Sequence, residues 1–122
     1  MVQSLLLQVP RMTELNTYQN VARATAIYPR DDKMLALAYV SLGLGEVGEF
    51  QGKVKKIIRD EAGVISPEKR EALAHELGDI LWYVANAAAE LGYDLEWVAR
   101  ENMEKLASRA ERGVLTGSGD NR

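Results

Sequence analysis

The stretch SPEKREALAHELGDILWYVANAAAELG, from Ser66 to Gly92, decides the fold. It opens on Ser66, a good N-cap, with Pro67 at the first helical position and Glu68 in the first turn. It closes on Gly92, the residue type that ends helices in the left-handed conformation. No proline follows Pro67 within it, so a helix to about Leu91 is expected. Asp94 then caps a further helix that reaches about Arg112, with Gly113 behind it. Its apolar residues Leu95, Val98, Met103 and Leu106 mostly keep helical spacing.

Upstream of Ser66, Glu61–Ile65 reads as a loop around Gly63. Before that loop, Asp31 or Asp32 can cap a helix continuing to about Asp60. Gly43, Gly45 and Gly48 interrupt it, each costing about 1 kcal/mol relative to Ala in a helix interior. Two readings stay open: a kink or a division into two helices, or close approach of a neighbour or ligand to the backbone. The first helix is expected from about Thr13 to Thr25, capped by Thr13, with Leu15, Tyr18, Val21 and Ala22 at helical spacing. Tyr28-Pro29-Arg30 stops it, because a residue before proline avoids the helical region.

Nothing reads as a strand pair, so the expected fold is all-α with four main helices. A second helix of about 28 residues would be about 42 Å long. A compact chain of this size has a radius of gyration of only about 14 Å. A homo-oligomer whose core is a shared helical bundle is therefore expected.

Composition narrows the chemistry. The 122 residues suit one domain. There is no cysteine, so neither disulfides nor a cysteine zinc site can form. With a single histidine, His75, any metal must be held mostly by oxygen. His75 reads as a packing or surface residue. The net charge of −3 argues against coating a nucleic acid polymer. The longest apolar run, Ile80–Ala85, is far short of the roughly 18 residues a membrane span needs. The N-terminal MVQSLLLQVPR lacks the basic region of a signal peptide. A cytoplasmic protein is expected, with a disordered tail over residues 114–122.

Two acid-x-x-acid pairs stand out: Glu46/Glu49 and Glu76/Asp79. Positions i and i+3 share a helix face, so each pair sets two carboxylates side by side. Like charges about 4 Å apart repel by about 1 kcal/mol in water and about 4 at an effective dielectric of about 20. Both pairs lie among apolar residues, Leu42, Leu44, Val47 and Phe50 around the first, Leu73, Leu77, Ile80, Leu81 and Val84 around the second. Acids beside a core are rarely tolerated unless paired or metal-bound. If the two helices pack antiparallel, four carboxylates converge into a hard site suited to Mg2+ or Mn2+. The competing reading is a solvated acidic face.

Lys53 and Lys56 follow Glu49 at one-turn intervals, as surface ion pairs or as a phosphate clamp. Asn102, Lys105 and Arg109 share one polar helix face, solvated or binding. Tyr83 lies one turn after Asp79, with Asn86 near the same face, and could support a ligand or stack on a base. Trp82 and Trp97 read as core or interface.

With its flanks LGLGEVGEFQGKVKK (42–56) and HELGDILWYVANAAAELGYDLEWVARENMEKL (75–106), this pattern resembles the MazG-like nucleotide pyrophosphohydrolases. The upstream Tyr18-Gln19 and ARATAIYP (22–29) resemble the corresponding element of small single-domain members. The resemblance implies one all-α domain over residues 1–113 that assembles as dimers or tetramers, with a four-helix-bundle core shared between subunits. It also implies Mg2+-dependent cleavage of (deoxy)nucleoside triphosphates to the monophosphate and pyrophosphate, with Mn2+ as a substitute. Glu46, Glu49, Glu76 and Asp79 carry over as metal ligands, one of them alternatively orienting the attacking water. Lys53, Lys56, Lys105 and Arg109 carry over as triphosphate contacts, and Asn102 and Tyr83 as contacts to sugar or base. Many members have a third acid where Gly45 stands. Cleansing of the nucleotide pool is the expected role. A dUTP-specific or phosphoribosyl-ATP hydrolase of the same superfamily and a non-catalytic bundle using the acids for docking are the alternatives. A di-iron bundle fails for want of a second histidine and a glutamate at Ala72.

Overall fold

The computed structural model describes residues 13–122. The expectation that MVQSLLLQVPR is no signal peptide lies outside them. Five helices run in order: α1 (Leu15–Ala24), α2 (Lys33–Gly43), α3 (Glu46–Asp60), α4 (Pro67–Glu90) and α5 (Leu95–Glu111). No strand occurs among the described residues, and no helix there is long and apolar enough to cross a membrane.

The ends of α4 and α5 follow the local chemistry. The Ser66 side chain accepts from Lys69 N–H, and the Asp94 side chain accepts from Trp97 N–H. Gly92 and Gly113 take positive φ, 85° and 68°, where a Cβ would be strained. The first helix corrects the expectation. It starts at Leu15 from an uncapped Glu14, while the Thr13 hydroxyl donates to the Glu14 carbonyl instead of capping.

The expected long second helix is two helices, so the described residues form five rather than four. Leu44 and Gly45 keep right-handed backbone angles but tighten the chain: Gly45 N–H donates to Leu42 C=O, and Gly48 N–H to Gly45 C=O at 2.8 Å. These i to i+3 bonds make a sharp elbow rather than a loop. At about 17 and 23 Å, α2 and α3 fit within a compact chain. The length of the second helix therefore gives no reason for self-association.

Helix α4 is the spine, with α1, α2, α3 and α5 all packed on it and α1 also against α5. Two small apolar clusters form its contacts. One joins Ala26, Tyr28, Ala36 and Val40, with Leu37, Trp82, Tyr83 and Ala87 at its edge. The other joins Ala22, Ala85 and Leu95, flanked by Tyr18, Trp82 and Val84. Trp82 touches both and donates its Nε1–H to Thr25 Oγ1 at 2.9 Å.

Buried polar side chains stitch the helices together. Gln19 donates to the carbonyls of Ala85 (3.0 Å) and Tyr93 (3.1 Å) and accepts from Leu95 N–H (2.9 Å). Arg23 Nη1 reaches Glu90 Oε2 at 2.7 Å, Tyr28 Oη at 2.8 Å and Asn86 Oδ1 at 3.1 Å. The Tyr28 hydroxyl donates to the same Glu90 oxygen at 2.5 Å. Asn86 is thus a wholly buried structural residue, not a companion of Tyr83 at a binding face.

Burial pushes the Glu90 carboxyl up, but the Tyr28 hydroxyl and Arg23 outweigh it and hold it below the ordinary carboxylate range. The Tyr28 phenol is pushed up to about 12, by burial and then by Glu90. The lowered Glu90 contributes stability above the ordinary carboxylate range, lost as pH falls through it. The raised Tyr28 contributes stability below its ordinary 10.0, lost as pH climbs towards about 12. Glu90→Gln should cost about 2 kcal/mol, as expected for losing hydrogen bonds to a charged group. Urea denaturation at pH 7 checks this, and an unchanged midpoint would contradict it.

Candidate functional site

Glu46 and Glu49 occupy the first turn of α3, where the free backbone N–H groups favour negative charge. Glu76 and Asp79 lie mid-way along α4. Packing of α3 on α4 brings one carboxylate oxygen each from Glu46, Glu49 and Glu76 within 4.8 Å of one another. Like charges at that spacing disturb protonation. The Glu46 carboxyl is raised by its hydrogen bond with Glu49, then by desolvation and by the charges of Glu49, Glu76 and Asp79. Lys53, one turn along α3 from Glu49, forms an ion pair with Glu76 Oε1. The other Glu76 oxygen, Oε2, is buried without a partner.

Those observations test whether the residues fit a divalent cation. The donors are all carboxylate oxygens, which suits a hard ion. The cluster carries an excess of negative charge. A buried acceptor lacks the partner that such atoms nearly always have. Glu46, Glu49 and Glu76 fit such an ion.

Asp79 stands outside this trio. With Glu46, Trp82 and Tyr83 it lines an adjoining open pocket of about 380 Å³. Burial, then Tyr39 and the nearby acids, raises the Tyr83 phenol, so Tyr83 stays a neutral hydroxyl. Its ring packs edge-on to Trp82 and rests on Gly43, where a Cβ would collide with the ring. Both readings of the glycines thus hold, at different residues. Gly43 permits a close approach, Gly45 sits in the elbow, and Gly48 has open space around it.

Lys53 and Lys56 line a second cleft, of about 180 Å³, with Ile57, Lys69, Ala72 and Leu73. The α5 residues are not brought to the acids. Asn102 and Lys105 line an open pocket of about 630 Å³ with Trp97, Val98, Glu101 and Glu104, all from α5. Arg109 is buried, its Nη2 3.4 Å from the Asp120 carbonyl oxygen and its Nε without a partner. His75 is on the surface beside Glu71. Trp82 lines the pocket with Glu46 and Asp79, and Lys69 lines the cleft with Lys53 and Lys56, neither of them a residue of the acid motifs. Lys69 had a signal: it precedes Glu76 by seven residues, two turns along one face.

A family model described as the MazG nucleotide pyrophosphohydrolase domain matches residues 36–114, which include all four acids and both pockets beside them. The Gene 37 protein of Mycobacterium phage L5 is 51% identical over 112 residues, covering 88% of this chain and 98% of that protein. No solved structure matches the chain significantly.

Gly43→Ala should destabilise the fold by about 1–3 kcal/mol, the usual cost of overpacking, and change the near-ultraviolet dichroism of the Trp82–Tyr83 pair. Gly48→Ala, with nothing near the added methyl, should stabilise by up to about 1 kcal/mol through helix propensity. Equal effects in thermal denaturation would refute the assignment of the close approach to Gly43.

Proposed function

The chain belongs to the MazG nucleotide pyrophosphohydrolase domain family, and on that premise we propose that it hydrolyses (deoxy)nucleoside triphosphates between the α and β phosphates. The observation that carries this reading is the convergence of Glu46, Glu49 and Glu76 around a buried, unpartnered oxygen. These three would hold the Mg2+ ion, with Mn2+ as a substitute. Such an ion supplies charge neutralisation at phosphate oxygens and makes a nearby water more acidic.

The remaining work falls to the chain's own residues. Water oxygen forms a bond to the α phosphorus as the bond from that phosphorus to the α–β bridging oxygen breaks. The electron pair leaves with pyrophosphate, and the monophosphate remains. Asp79 accepts the water's proton, a role supported by its lining a pocket with Glu46. Lys53 offsets negative charge beside Glu76. Tyr83 and Trp82 offer aromatic surface for a base. Removal of noncanonical or surplus nucleotides is the role such chemistry serves.

The working unit we propose is a homodimer or homotetramer. Support comes from exposed apolar side chains, among them Leu42 (81% exposed) on α2 and Met103 (68%) on α5. Every residue from Arg100 to Ser108 is exposed, so half of α5 offers surface to a partner. Sedimentation at micromolar concentration should show two or four times 13.5 kDa, and a monomer would contradict it.

With Mg2+ and a panel of nucleoside triphosphates, phosphorus NMR should show monophosphate and pyrophosphate in equal amounts. Orthophosphate as the first product would overturn the reading. Asp79→Asn should lower turnover by at least about 100-fold, the typical contribution of an acid–base group, and Glu49→Gln, which removes an ion ligand, should lower it at least as far, with helical content unchanged in both.

A further inference from the structure

Residues on one face of α4 change character in order. Lys69, Ala72 and Leu73 line the small cleft, Glu76 joins the carboxylate trio, and Asp79, Trp82 and Tyr83 line the larger pocket. At 1.5 Å per residue, Lys69 to Glu76 is about 10 Å and Glu76 to Tyr83 about another 10 Å. Cations, acids and aromatics therefore follow one another along a single rigid helix. The three sites are contiguous: Lys53 lines the cleft and pairs with Glu76, while Glu46 belongs to both the trio and the aromatic pocket.

The cleft is more than a row of surface ion pairs. Its floor is apolar, with Ile57 buried and Ala72 and Leu73 beside it. Lys53, Lys56 and Lys69 line the same cleft. Two are tied at its edges, Lys53 to Glu76 and Lys69 to Glu61 across the α3–α4 loop. Lys56 makes no ion pair among the described residues. Helical pairing alone would match each lysine with an acid one turn away. Here lysines from two helices line one small cleft, and Glu61 holds Lys69 from the loop. Ammonium groups are point charges suited to phosphate oxygens.

We infer that this cleft seats the pyrophosphate end of the substrate, with Lys69 as an additional binding residue and Glu61 as the residue that positions it. This rests on the hydrolase reading and adds a direction to it. The base lies toward Trp82 and Tyr83, the α phosphorus at the carboxylates, and the β and γ phosphates toward the loop at 61–65. After cleavage the leaving pyrophosphate stays among the three lysines, and the monophosphate stays on the aromatic side.

Product inhibition separates the two ends. With the wild type established as releasing pyrophosphate, inorganic pyrophosphate and the matching monophosphate are each titrated as inhibitors. Lys69→Gln should weaken pyrophosphate inhibition about 10-fold, a change worth about 1.4 kcal/mol, and leave monophosphate inhibition unchanged. Lys69→Arg, which keeps the charge, should restore most of it. Glu61→Gln should give a smaller loss of the same kind. Pyrophosphate inhibition unaffected by Lys69→Gln, or both products weakened equally, overturns the inference while the hydrolase reading stands. A wild type that releases no pyrophosphate from any triphosphate overturns both.

Discussion

Everything in this fold is referred to one helix. Every other described helix packs on α4, so its 24 residues must meet four neighbours at once. That demand explains the sequence of its second half. Ala85 and Ala88 are small enough to bring neighbouring backbones close, and both are buried. Trp82 supplies bulk where the two apolar clusters meet, and its indole N–H finds Thr25. Gln19, Arg23 and Asn86 then fix the registers of α1 and α5 against the same helix. The core itself is small, so these hydrogen-bonded links carry an unusual share of its definition.

The same rigidity makes the carboxylate cluster possible. Left to themselves, Glu46, Glu49 and Glu76 would move apart, since like charges at close range repel. They are held because α3 is packed on α4 and its start is set by the elbow at Leu44 and Gly45. The strain shows in the raised Glu46 carboxyl, in the capture of Lys53 by Glu76, and in the buried Oε2 left without a donor. Groups so perturbed cluster where a protein has chemistry to do.

Much of this was legible in the residues. Ser66-Pro67 and Gly92 bounded α4, Asp94 and Gly113 bounded α5, and i, i+3 spacing put each acid pair on one face. The division between α2 and α3 was only half legible. Three glycines signalled it, but Gly43 owes its place to Tyr83, forty residues away, which no local pattern contains. Asp79 was grouped with the other acids by spacing, whereas the structure sets it in the adjoining pocket. Arg109 kept helical spacing with Asn102 and Lys105, yet lies buried near Asp120. Asn86 likewise belongs to a network built from α1 and α4, which only tertiary packing reveals. Local spacing reports what shares a face, and packing decides what that face meets.

The proposed chemistry requires that the trio of Glu46, Glu49 and Glu76 hold a divalent cation. Calorimetric titration of the purified chain with Mn2+, which reports binding independently of turnover, tests it most directly. Saturable binding is expected, and Glu76→Gln should weaken it by at least about 10-fold, a loss of about 1.4 kcal/mol or more. Binding of equal strength in Glu76→Gln, or no saturable binding by the wild type, would contradict it.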